Sequence, residues 1–211
     1  MPGHDHSHSH DHAFDLALPG QRRVLIIVLL INAGMFVIEI VAGLTAGSVS
    51  LQADALDFLG DAASYAISLF VLGMALKWRA GAALLKGMTR GAFGIWVLGA
   101  TVYNALYGVV PGAFVMGTIG FAALVANMIS AAMLFGFRKG DANMRSVWLC
   151  SRNDAIGNVA VMLAAGAVVA TDTAWPDLAV ATVMALLALT ASWQVIRQAL
   201  AELNTSKLGA A

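Results

Sequence analysis

Six apolar stretches, residues 23–46, 50–76, 81–107, 112–136, 144–170 and 177–199, make up most of this 211-residue chain. A helix crossing a hydrocarbon core of about 30 Å needs about 20 such residues, and each stretch supplies them. A backbone in lipid must satisfy its own polar groups, so runs of this length read as membrane helices. The chain is 60% hydrophobic and only 11% charged, where a soluble domain carries about 25% charged residues. The expected fold is all-α: an integral membrane protein of six transmembrane helices over residues 21–200. Residues 1–20 read as a disordered His-rich cytoplasmic tail and 201–211 as a short cytoplasmic tail, with no soluble domain. Net charge is zero, so nothing points to nucleic acid. The single cysteine, Cys150, cannot close an internal disulfide. The polar, His-rich start lacks the basic-then-apolar pattern of a cleavable signal peptide.

The breaks between stretches are short: Gly47-Ser48, Lys77-Trp78-Arg79, Gly108 to Gly112 around Pro111, Arg138 to Asp141, and Thr171 to Asp177. Basic residues mark one side of the bilayer. Arg22 and Arg23 precede the first stretch, while Lys77, Arg79, Lys86 and Arg90 surround the second break. Arg138, Lys139 and Arg145 surround the fourth, and Arg197 and Lys207 lie at the end. The first, third and fifth breaks contain no Lys or Arg. By the positive-inside rule both termini are expected in the cytoplasm of a multi-pass cell-membrane protein.

Four residues inside these stretches carry metal chemistry. Asp57 and Asp61 are four apart in the second, and Cys150 and Asp154 four apart in the fifth. That spacing puts each pair on one helix face, about one turn apart. Ionisable groups at bilayer depth are costly unless paired, hydrated or metal-bound, and they commonly mark ion pathways. With 1.5 Å of rise per residue, the aspartates of the second stretch lie roughly 10–17 Å from one face, and the other pair roughly 9–15 Å from the opposite face. Both pairs therefore approach the midplane and can meet. Four converging oxygen and sulfur donors suit a tetrahedral divalent transition ion, zinc by geometry and cadmium by thiolate softness. Cys150 alone would read as a small apolar filler; its place four residues before Asp154 makes it a ligand candidate.

Other polar residues are open to more than one reading. Asp54 lies one turn from the aspartate pair, as a second carboxylate beside the site, a proton relay, an exit-vestibule group or a packing contact. Asn32, Glu39 and Asn158 read mainly as interhelical hydrogen-bonding groups, with Glu39 and Asn158 also near the ion path. Arg152 can extend toward the start of its helix and the cytoplasmic interface. His4, His6, His8, His10 and His12, interrupted by Asp and Ser, form a tract suited to weak metal capture. Gly43 and Gly47 have the spacing that lets membrane helices pack closely, a weak signal. There is no GxxxxGK[ST] phosphate loop and no HExxH, which argues against ATP drive and metalloprotease chemistry. No enzyme activity, catalytic residue or resident cofactor is expected.

The run Asn32…Glu39…Gly43…Gly47-Ser48…Asp54-Ala-Leu-Asp57-Phe-Leu-Gly-Asp61 resembles the first two spans of the cation diffusion facilitator family. Cys150-Ser-Arg-Asn-Asp154-Ala-Ile-Gly-Asn158 resembles its fifth, and Trp175-Pro176-Asp177 the start of its sixth. The resemblance covers about residues 20–200. It implies a six-span exporter of zinc, cadmium, cobalt, iron or manganese in exchange for protons, typically dimeric, with Asp57, Asp61, Cys150 and Asp154 at the transport site. Two departures stand out: cysteine at position 150, where the family usually has histidine or aspartate, and no cytoplasmic domain after the sixth span. Metal binding requires the donors to lose protons, so metal and protons would compete for one site. The expected function is export of a divalent metal, Zn2+ or Cd2+ foremost, by metal/proton antiport, from a homodimer joined through its membrane helices. A passive metal channel and a non-transporting membrane metal sensor are the alternatives.

Overall fold

The computed structural model describes residues 19–70, 76–136 and 142–208. Six helices follow one another: α1 (Pro19–Ala46), α2 (Val49–Phe70), α3 (Leu76–Tyr107), α4 (Ala113–Phe135), α5 (Ala142–Thr171) and α6 (Trp175–Leu208). Four of them contain segments long and apolar enough to cross a membrane: Arg22–Ala46, Ala113–Phe135, Ser151–Thr171 and Trp175–Ala201. Helix α2 carries Asp54, Asp57 and Asp61, and α3 carries Lys86 and Arg90.

Local chemistry sets the ends. Gly47 follows α1 with φ +67°, the left-handed conformation that costs glycine nothing, and the Ser48 N–H reaches back to the Gly43 carbonyl at 3.0 Å. This closes the helix in the manner of a Schellman motif. Ser48 then caps α2, its Oγ accepting from the Leu51 N–H at 3.2 Å. Gly43 therefore serves close packing, since a Cβ there would lie 2.9 Å from Gln52 Cγ, whereas Gly47 serves the turn.

Two boundaries differ from the sequence expectation. Lys77, Trp78 and Arg79 lie within the first turn of α3 instead of breaking the chain; Lys and Arg are good helix formers, and charge alone does not stop a helix. The α6 helix continues to Leu208, so residues 201–208 extend it where a tail was expected. Residues 71–75, expected to finish the second stretch, lie outside the described residues.

Helices α1 and α2, α4 and α5, and α3 and α6 form the closest pairs, and α2 touches α1, α3, α5 and α6. Each apolar cluster of the interior includes an α2 side chain: Tyr65, Ala53, Leu51 or Phe58. Large apolar groups point outward instead, Phe114 being 85% exposed, while Asp54 is 1% exposed. Apolar outside and polar inside is the arrangement that lipid favours. Without a hydrophobic force between helices in lipid, close fit and hydrogen bonds must hold them. The α3–α6 pair shows both, with Gly87 against Ile196 and Ser192 Oγ donating to the Gly87 carbonyl at 2.7 Å.

Candidate metal site

Asp54, Asp57, Asp61 and Tyr65 follow one another at helical spacing along the buried side of α2. At about 100° per residue they share a face without sharing a direction, and each meets a different neighbour. Asp61, 6% exposed, lies beside Asp154 of α5, close enough for their carboxyls to interact directly. Two adjacent carboxylates need a shared proton or a cation between them. The Tyr65 hydroxyl donates to Asp61 Oδ2 at 3.2 Å and lies 3.4 Å from Ser151 Oγ. Tyr65 thus ties the α2 carboxylate to α5 at the residue following Cys150.

Asp57 turns toward α3. Its Oδ1 accepts from Arg90 Nη2 at 3.3 Å, beside a cleft lined also by Leu56, Phe93 and Met184. It stays within electrostatic reach of both Asp61 and Asp154. The sequence placed Arg90 among the cations around the second break; instead it lies fourteen residues into α3, about 21 Å along its axis. One turn earlier, Lys86 Nζ donates to the Ser64 carbonyl of α2 at 3.1 Å.

Asp54, like Asp61, faces α5. Its Oδ2 accepts a hydrogen bond from Asn158 Nδ2, and Asn127 of α4 in turn donates to Asn158 Oδ1 at 2.9 Å. Glu39 of α1, completely buried, lies within electrostatic reach of Asp54. Neither of its carboxyl oxygens has a hydrogen-bond partner among the described residues. Of the three residues expected to bridge helices, Asn158 does so. Asn32 instead donates to Val28 within its own helix at 2.7 Å. Arg152 is exposed and reaches back over the Trp148 ring, 5.4 Å from its centroid, in the direction expected.

Of the four expected donors, then, Asp61 and Asp154 come together, Asp57 sits within reach but paired with Arg90, and the Cys150 side chain lies outside the described residues. Among the described residues no three His, Cys, Asp or Glu side chains are gathered as a ready metal cluster. The histidines at 4, 6, 8, 10 and 12 also lie outside the described residues. Sequence reasoning missed Arg90, Tyr65 and Asn127. Tyr65 had a usable signal, its place four residues after Asp61; Arg90 had its depth within the third stretch.

Residues 25–204 match the cation efflux transmembrane domain. The chain is 28% identical to the metal cation efflux system protein CzcD of Cupriavidus metallidurans, over 86% of this chain and 61% of that protein. It is 23% identical to a cadmium, cobalt and zinc/H(+)-K(+) antiporter of Bacillus velezensis, over 94% and 65%. It is 26% identical to the zinc transporter ZitB of Pectobacterium atrosepticum, over 87% and 62%. The chain spans less than two thirds of the length of these curated relatives. With the domain match covering most of its residues, the chain belongs to the cation efflux family, the cation diffusion facilitators.

Proposed function

We propose that this chain exports divalent transition-metal ions across the cell membrane, zinc and cadmium foremost, in exchange for protons. The observation that carries this reading is the pairing of Asp61 with Asp154 across α2 and α5, inside a bundle whose outer surface is apolar. Asp57, Asp61, Cys150 and Asp154 are the proposed donors, with Asp54, Asn158 and Glu39 forming a polar support behind them. Four ionised donors around a 2+ ion carry a formal charge of −2, so protons must balance the site as metal comes and goes. The relatives named for cadmium, cobalt and zinc support the metal class, and the Bacillus antiporter supports exchange. In this reading all six helices span the membrane, both termini are cytoplasmic, and two copies pair through membrane helices. The His-rich segment collects metal at the cytoplasmic mouth.

The test is metal uptake into proteoliposomes carrying a pH-sensitive dye, with K+ varied in a separate arm. Zn2+ or Cd2+ entry coupled to opposite proton movement is expected, and Asp154→Ala should abolish it while leaving the protein folded. Metal flux indifferent to the proton gradient would indicate a channel, and metal binding without flux a sensor. A Cys150→His arm should move the preference from cadmium toward zinc, because imidazole is the harder ligand.

A further inference from the structure

We infer that Arg90 is a tethered counter-cation for the empty transport site: its guanidinium occupies Asp57 when no metal is bound, and an arriving ion displaces it. The inference rests on the proposed role of Asp57 as a metal donor. An arginine near the middle of a membrane-crossing helix is costly unless paired, and the partner Arg90 takes is one of the four expected donors, at 3.3 Å. Its charge also reaches Asp61 and Asp154, so it faces the whole acidic group and not one carboxylate alone.

The contact is built to be exchanged. Arg90 Nη2 approaches Asp57 Oδ1 at 3.3 Å, at the long end for a hydrogen bond of this kind. The pair is partly open, the side chains being 37% and 23% exposed, and it borders the cleft between α2, α3 and α6. A divalent ion and a guanidinium repel at one carboxylate, so binding the first weakens the hold of the second. Lys86, one turn away and fixed on the Ser64 carbonyl, keeps α3 positive along the same face as Arg90 leaves.

Titration of the purified full chain with Zn2+ and with Cd2+ tests this. Arg90→Gln should tighten binding about fivefold, the strength of a partly exposed ion pair, while lowering the maximal transport rate. Arg90→Lys should stay near wild type. Asp57→Asn should weaken binding, and Arg90→Gln added to it should change nothing further. Weaker or unchanged binding in Arg90→Gln, with Asp57→Asn weakened, overturns the role of Arg90 and leaves the metal site standing. Unchanged binding in Asp57→Asn removes Asp57 from the metal site and with it this inference. A second measurement needs no variant: modification of Arg90 by phenylglyoxal, read by mass spectrometry, should speed up when metal is added. An equal or slower rate with metal overturns the proposal.

Discussion

Asn158 shows what one amide does inside an apolar bundle. Its Nδ2 donates to Asp54 while its Oδ1 accepts from Asn127, so both ends of the side chain are used and three helices meet at one point. Replacing it with alanine leaves a buried carboxylate and a buried amide without partners, each costing about 1–3 kcal/mol. Asn158→Ala should therefore lower the unfolding midpoint in detergent clearly, and Asn158→Asp should not restore it, because two acceptors would then face each other. A midpoint equal to wild type would mean that Asp54 is held by something else. The sequence made the acidic face of α2 legible through spacing alone. The division of labour along that face was not legible: Asp54 and Asp57 differ by about 60° around the axis and Asp57 and Asp61 by about 40°. The two turns run in opposite senses, so Asp54 and Asp61 return to nearly one direction, toward Asn158 and Asp154 of α5, while Asp57 alone is turned toward Arg90 of α3.

Between elements, the α2–α6 junction is the clearest case of a helix end held by a distant residue. Asp177, buried in the first turn of α6, accepts from the Val49 and Ser50 N–H groups at 2.8 and 3.1 Å and from the Ser48 and Ser50 hydroxyls at 2.7 and 2.5 Å. The first N–H groups of a helix have no partner within it, and a carboxylate there also meets the positive end of the helix dipole. Asp177 thus sets the position of α2 and, with it, the height of the three aspartates. Asp177→Ala should cost roughly 1–3 kcal/mol and speed hydrogen exchange at Val49 and Ser50 more than at the α4 start. Uniform exchange across both helix starts would argue against this clasp. The Trp175-Pro176-Asp177 signature marked this helix start from sequence, and Pro176 fits the first turn of a helix. Nothing in the sequence indicated that the carboxylate caps another helix, since its partners lie more than 120 residues away.

Across the molecule, charge asymmetry makes a prediction that packing does not. If all six helices span, Val110 in the third connection and Arg197 near the end of α6 lie on opposite sides of the membrane. Single cysteines placed there in a Cys150→Ser background should react with an impermeant thiol reagent from opposite faces of intact cells, Val110 from outside. Labelling of both from one face would reject the six-span arrangement. The helical class and four of the apolar spans followed from the order of residues, because length in lipid is a local property that each segment carries with it. The extension of α6, the helical course of Lys77 to Arg79 and the pairing of Arg90 with Asp57 did not follow. A charged residue's destination depends on which opposite charge its helix is packed against, and that is set by contacts such as Gly87 on Ile196 and Asp177 on α2, which join segments far apart in the chain.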